Sequence, residues 1–398
     1  MKISKVEVIP ISVPFEAPIV SRAFTSSWGQ TGSITVEAVG SGAMDCALRC
    51  IVKIHTDDGL VGLGETRGSK VVQVLLGSIG KECLGADPFA IEKLLETLYW
   101  TPYFSGYDGH AAIAGVEMAC WDLMGKATHQ PLYNLLGGLY REKIEMNCYL
   151  FFRLANEEGR GGESTPEGLA EYARQCQQKY GFRVFKIKAG IAAPEVDVRT
   201  ATLLRETLGA DVGIVVDPNA AWSFPDAVGI CKRLEKLDPL YIEDPCRGME
   251  ALSRLKRHIN TPLSTNMCIV NMETLGIGLR LNPMPVDIIL SDVHKWGGIL
   301  ATKKLAAACE TLNLGVAHHS SPDVGISEAA ILHIAASTPW MTIPLDSLQH
   351  HLADDVITKR FQYENGYLRV PEGYGLGVAL DEEKVQKYAD RYRRISAE

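Results

Sequence analysis

Phe185-Lys186-Ile187-Lys188-Ala189-Gly190, Gly213-Ile214-Val215-Val216-Asp217-Pro218-Asn219, Tyr241-Ile242-Glu243-Asp244-Pro245 and Pro262-Leu263-Ser264-Thr265-Asn266-Met267 are four short runs that follow one another at nearly even spacing. Each holds a β-branched or apolar stretch stopped by Pro, Gly or Asn, which is how a parallel strand reads when helices cover both of its faces. Amphipathic segments of helical length, 194–208 and 224–237, lie between them. Strand, polar tip and helix in repetition describe a (β/α) barrel, whose chemistry gathers at the carboxyl ends of its strands. The polar residues of these runs stand at those ends.

Outward from this stretch the alternation continues. Met146 to Phe152 reads as the first strand, the quoted runs as strands two to five, Asp287 to Asp292 as strand six, Leu314 to His319 as strand seven and Thr342 to Asp346 as strand eight. Helical segments at Ala301 to Leu312 and Ile326 to Ser337 fall in the gaps that a barrel requires. Upstream the order changes. A strand with alternating apolar residues from Val6 to Val13 precedes a hairpin, Ala47 to His55 and Leu60 to Glu65, turned at Asp57-Asp58-Gly59. Helices are expected over Lys70 to Cys83, from an Asp87-Pro88 N-cap and N1 pair to Leu98, and over His110 to Ala127. Strands followed by helices form an α+β unit. The expected fold is therefore an α/β barrel, a modified TIM barrel, with an N-terminal α+β capping domain. The expected boundaries are 1–128 for the cap, 129–355 for the barrel and 356–398 for a segment ending in a charged helix that returns to the cap.

Composition narrows the function. With 398 residues, 46% hydrophobic and 22% charged, the chain is long enough for a barrel of about 250 residues and a second domain. A net charge of −8 disfavours nucleic acid or an anionic membrane as partner. Ten cysteines are scattered without a CxxC pair, several in apolar runs, which suits reduced thiols and a cytoplasmic setting. No signal-peptide core opens the sequence, and no run reaches the ~18 apolar residues of a membrane helix. The stretch Ala23 to Asp45, rich in Gly, Ser and Thr, reads either as a plain surface loop or as a lid over the site.

Asp217, Glu243 and Asn266 stand one βα unit apart, so they top three consecutive strands and converge on one point. Three oxygen donors, two of them anionic, with no His or Cys among them, suit a hard cation such as Mg²⁺ and not zinc. The plainer alternative is that the two acids cap the helices that follow them. Lys186 and Lys188 are two apart on a strand and share its inner face, where two close ammonium groups make one of them a usable base. His319 tops strand seven and Asp292 tops strand six, so the carboxylate can fix the tautomer of the imidazole; His318 would face the helices. A lysine, a histidine and a hard metal together meet one chemical need, removal of the proton next to a carboxylate.

On these residues the whole chain resembles the enolase superfamily, through its cap, the Trp121-Asp122 segment leading to Leu135-Leu136-Gly137-Gly138, and the barrel. Within it the chain is most similar to glucarate dehydratases. Their Lys-x-Lys on strand two is matched by Lys186 and Lys188, and their Asp-Pro-Asn on strand three by Asp217, Pro218 and Asn219. Their third metal ligand is an Asn in Thr-Asn-Met, matched by Thr265, Asn266 and Met267; their Asp and His on strands six and seven fall on Asp292 and His319, and an Asp on strand eight falls on Asp346. After the His that family continues Ser-Asn-Asn, where this chain has Ser320-Ser321-Pro322.

The resemblance implies a Mg²⁺-dependent dehydratase of an acid sugar, aldarate or aldonate. The metal would be held by Asp217, Glu243 and Asn266, and the α-proton removed by Lys188 or by the Asp292-His319 pair. His319 would return a proton to the departing hydroxyl, with Lys186 and Asn219 steadying the substrate carboxylate and Asp346 a further substrate contact. A racemase or epimerase of an α-hydroxy acid needs the same two bases and no leaving group. A cycloisomerase fits less well, because those have a Lys where this chain has Asp292, and a non-catalytic binding or regulatory relative would have no use for the retained groups. A homo-oligomer is the expected assembly, with a copy number that the sequence does not give.

Overall fold

The computed structural model describes residues 1–21, 35, 36 and 41–397, so most of the proposed lid, Ala23 to Asp45, lies outside the described residues. The capping sheet is antiparallel: Ile3–Val20 pairs with Ser41–Thr56, which pairs in turn with Val61–Arg67. The turn between the last two strands closes through Thr56 N to Leu60 O at 3.0 Å and places Gly59 at φ +88°, a region that favours glycine. Gly62 and Gly64 serve closeness instead. A Cβ at Gly64 would lie 2.0 Å from Gly115 O, and one at Gly62 2.2 Å from Ala119 O, so the hairpin can press directly onto the helix Gly106–Ala127. That helix is buried from Ala111 to Cys120, between the sheet and the other cap helices, Lys70–Glu82 and Ile91–Trp100.

One helix starts later than the sequence suggests. Asp87 accepts from Phe89 N at 3.0 Å with its side chain and from Ala90 N at 3.0 Å with its carbonyl, and these bonds close a separate turn. The helix then begins at Ile91 with no side-chain cap, because the acid had a competing local partner.

The barrel strands are Lys143–Leu150, Val184–Lys188, Gly213–Asp217, Tyr241–Glu243, Leu263–Thr265, Ile288–Ser291, Gly315–His318 and Leu345–Ser347. Neighbours pair in parallel from the first to the seventh, and the eighth pairs with the first. Register carries the inner face around the ring: Tyr149 lies opposite Lys186, Lys188 opposite Asp217, Val215 opposite Tyr241, and Glu243 opposite Ser264. Outward residues such as Ile187, Val216, Ile242, Leu263 and Val316 are buried in the apolar core that the helices cover. Several of those helices are stopped and started by local chemistry. Thr165 caps Pro166–Tyr180 and Ser223 caps Phe224–Leu234, each followed by a Pro in the first turn. Among the described residues no helix is long and apolar enough to cross a membrane.

Charge joins cap to barrel. Arg49, 1% exposed, meets Glu65 at 2.6 Å on the neighbouring cap strand and Asp323 at 2.7 Å beyond barrel strand seven. Glu65 also accepts from Val324 N and Ser327 N at the start of the helix Gly325–Ala336. The C-terminal helix Glu382–Ala397 returns to the first strand, with Arg391 donating to Ser12 Oγ at 2.5 Å. Removing the guanidinium would strand two buried carboxylates. Arg49→Met is therefore expected to cost about 3–5 kcal/mol, read as a lower urea midpoint. A loss below about 1 kcal/mol would show that the cluster tolerates its own excess charge.

Candidate active site

Beneath the carboxyl ends of strands one to four and eight lies a sealed layer of charge. Lys186 is fully buried, with its Nζ 2.5 Å from Glu243 Oε2, 2.7 Å from Asp346 Oδ2 and 3.7 Å from Asp217 Oδ2. Burial acts to lower its pKa, but Asp346 and Glu243 outweigh burial and hold the ammonium well above its ordinary value. Asp346 also accepts from Asn147 Nδ2 at 2.9 Å and Tyr149 Oη at 3.1 Å. This differs from what the sequence suggests. Lys186 and Asp346 are expected there as substrate contacts, yet both are closed off below the floor and bond to each other. The strand period places them inside the barrel without saying how deep.

Above that layer opens a cavity of about 600 Å³, within the range of roughly 300–1,000 Å³ common for small-molecule sites. Lys188, Asn219, Asn266 and His319 line it. Lys188 Nζ makes a short bond to Asp217 Oδ2 and a longer one, 3.3 Å, to Asn219 Oδ1. Burial would raise the Asp217 pKa, but Lys188 and Lys186 outweigh it and bring the carboxyl down to about 2. Burial and the neighbouring charge of Asp217 push Glu243 up to about 8 despite its pairing with Lys186. Three carboxylates, Asp217, Glu243 and Asp346, thus share two ammonium groups, and the layer is short of positive charge.

That deficit is the test of the metal expectation. Asp217, Glu243 and Asn266 are buried oxygen-bearing residues at the ends of three successive strands, a set that suits a hard divalent ion. Among the described residues no group of three or more His, Cys, Asp or Glu is arranged for a metal, so an amide must complete the set. Asn266 Nδ2 makes a short bond to Glu243 Oε1 while its Oδ1 faces Lys295 Nζ at 2.5 Å, so its oxygen would serve only after the amide turns over. Asp244 fixes the backbone at that point, accepting from Thr265 Oγ1 at 2.5 Å and Asn266 N at 2.9 Å.

On the opposite arc of the ring, strands six and seven carry His319 and Asp292. His319 Nδ1 lies 3.0 Å from Asp292 Oδ2, while Asp292 Oδ1 accepts from His294 N at 2.9 Å and so cannot swing away. Burial, then the charge of Lys295, bring the imidazole down to about 3 in spite of Asp292. A neutral ring that donates Nδ1–H to a carboxylate leaves Nε2 as a bare acceptor, the form a base requires. His318 points into the helical layer, its Nδ1 3.2 Å from Ser291 Oγ. Lys295, three residues past Asp292 in the turn after strand six, was not legible in the sequence. It lines the cavity, 12% exposed, and burial brings it down to about 8 against the pull of Asp292. Arg67 of the cap, Arg247 and Tyr149 also line the cavity without a motif to mark them.

Two families cover most of the sequence: mandelate racemase / muconate lactonizing enzyme, N-terminal domain, over residues 35–137, and enolase C-terminal domain-like over residues 168–384. The chain belongs to the enolase superfamily. Among its superfamily relatives, a Streptomyces coelicolor protein named "Probable glucarate dehydratase" is 32% identical over 365 residues, 85% of this chain and 83% of that one. The crystal structure of an isomerase from Streptomyces coelicolor A3(2) superposes with a TM-score of 0.85 at 38% identity, covering 99% of this chain and 98% of the other. An enolase from Pseudomonas fluorescens, solved with magnesium, potassium and tartrate, superposes with a TM-score of 0.87 at 27% identity, covering 98% and 92%. The modified TIM barrel with its α+β cap is thus the superfamily fold, and magnesium is present in a solved relative.

Proposed function

We propose that this superfamily member is a Mg²⁺-dependent dehydratase of an acid sugar. The observation that carries the reading is the His319-Asp292 pair, a neutral imidazole aimed into the same cavity that Lys188 and Asn266 line. Asp217, Glu243 and Asn266 would hold the ion, and the ion when bound supplies the positive charge that stabilises the substrate carboxylate as the α-proton leaves. Lys188, held against Asp217, and Asn219 orient that carboxylate. His319 Nε2 takes the α-proton, and Asp292 stabilises the imidazolium so formed. The imidazolium returns the proton to the β-hydroxyl, the C–O bond breaks, water departs, and the enol tautomerises to a 2-keto-3-deoxy acid.

One group that accepts and then donates a proton suffices for this elimination. Racemisation or epimerisation, the second reading, is favoured by the relative described as an isomerase. It needs a free base on each face of the α-carbon, and the bond from Lys188 to Asp217 works against the second base.

A screen of C4 to C6 mono- and diacid sugars with Mg²⁺ is expected to yield a 2-keto acid, detected as its semicarbazone. An epimer with no 2-keto acid would replace the dehydratase reading with the isomerase one. Absence of α-proton exchange with every acid would leave a non-catalytic relative.

A further inference from the structure

Two residues of the cap hold the backbone of the site from outside the barrel. Tyr107 Oη donates to Met267 O at 2.8 Å, and His110 Nδ1 meets Lys295 O at 2.8 Å, where the carbonyl only accepts and the ring therefore donates. Both stand at the start of the helix Gly106–Ala127. Glu117, two turns further on, accepts from Ile299 N at 2.8 Å and Leu300 N at 2.9 Å where the helix Ile299–Leu312 begins. Positions spaced by three and by seven residues share one helix face, so Tyr107, His110 and Glu117 form a single line of contact with the barrel. The cap sheet presses on the same helix at Gly115 and Ala119, which leaves Tyr107 and His110 little freedom to drift.

Met267 directly follows Asn266, the candidate metal donor at the end of strand five. Four backbone groups fix this pair. Asn266 N donates to Asp244 Oδ2 at 2.9 Å, Asn266 O accepts from Lys295 Nζ at 3.2 Å, Met267 N donates to Thr265 Oγ1 at 3.1 Å, and Met267 O accepts from Tyr107. The first three partners belong to the barrel, and the fourth reaches across from the cap. His110 acts on the same place by way of Lys295, whose carbonyl it holds and whose ammonium reaches Asn266. We propose that Tyr107 is a positioning residue for the metal, acting through the backbone of Met267, with His110 fixing the foot of the helix beside it. The inference rests on the reading of Asp217, Glu243 and Asn266 as metal donors. It makes docking of the cap a condition of tight metal binding, in addition to the cover that the cap gives the cavity.

Calorimetric titration of the full chain with Mg²⁺ alone tests this, with the thermal midpoint of the metal-free protein as the gauge of structure. Tyr107→Phe removes one hydroxyl from a half-exposed ring, so the midpoint should move by only a few degrees. Mg²⁺ affinity should fall about tenfold, as when other groups that orient a metal ligand are lost. His110→Leu should weaken Mg²⁺ binding likewise, and His110→Asn, whose amide nitrogen can take the place of Nδ1, should restore most of the loss. Because coupling is reciprocal, bound Mg²⁺ should slow amide exchange over residues 107–114 in the unsubstituted protein, and do so less in Tyr107→Phe. Mg²⁺ binding as tight in Tyr107→Phe as in the unsubstituted protein would overturn the inference and leave the metal reading intact. An equal loss in Tyr392→Phe, which removes a hydroxyl that accepts from Gln73 Nε2 at 2.7 Å on the C-terminal helix, would mark general loosening of the cap and overturn it too. Failure of the unsubstituted protein to bind Mg²⁺ at all would remove the metal reading, and the inference with it.

Discussion

Treatment with EDTA is expected to abolish turnover, and Mg²⁺ or Mn²⁺ to restore it, because the candidate donors Asp217, Glu243 and Asn266 offer only hard oxygens. Glu243→Gln should lose activity even with metal in excess. The floor explains why so small a change is decisive. Glu243 sits between Lys186 and Asn266, and its pKa is pushed up to about 8 by burial and by Asp217, so it gains an anionic neighbour's repulsion that only added positive charge relieves. The amide of Gln has the shape but not the charge, and an ion would then face Asp217 as its one protein carboxylate. A fall of at least about 10²-fold is expected, and Mg²⁺, which should raise the thermal midpoint of the unsubstituted protein, should no longer do so in the variant. Full turnover by chelated, metal-free protein would end the mechanism proposed here.

Much of this site is legible in the sequence because the barrel converts spacing into position. Asp217, Glu243 and Asn266 come together because the first two end their strands and the third directly follows its own, and Lys188, Asp292 and His319 reach the same ring through the two-residue period of their strands. His318 and His319 are told apart by that period alone. Depth is not legible in the same way. Lys186 and Lys188 share a face, yet a rise of about 6–7 Å separates a sealed ion cluster from the cavity wall, and nothing in Lys-Ile-Lys says which side of the floor each occupies. Asp346 is hidden for the same reason. Lys295, Arg67 and Arg247 escape for another: they lie in a turn, at the end of a cap strand and on a loop, where no period assigns a direction, and only the docking of cap on barrel brings Arg67 to the cavity. The start of the helix at Ile91 shows the local limit, since Asp87 and Pro88 suit a helix start and an isolated turn equally well.

Substitution of His319 should have the other large effect, and it separates the two candidate bases. His319 is the group held neutral, by burial and Lys295, with its Nδ1–H committed to Asp292. His319→Asn keeps a donor for Asp292 but removes the proton acceptor facing the cavity, so dehydration should fall by about 10²- to 10⁴-fold, the usual worth of a positioned base. Exchange of the substrate α-proton with solvent deuterium should vanish for the epimer that is dehydrated. If Lys188 reaches the opposite face of the α-carbon, some exchange of the other epimer should survive in His319→Asn and disappear in Lys188→Ala. Lys188→Ala should also weaken substrate binding, since it removes the cation beside Asn219. Asp292→Asn should follow His319→Asn in rate, because the amide can present its NH₂ to Nδ1 and favour the tautomer with the proton on Nε2. The control is His318→Asn. Its side chain packs behind the strand beside Ser291, so it should dehydrate at close to the normal rate. Were His318→Asn inactive and His319→Asn normal, the inner face of strand seven would be the other one, and the pairing with Asp292 would lose its catalytic meaning.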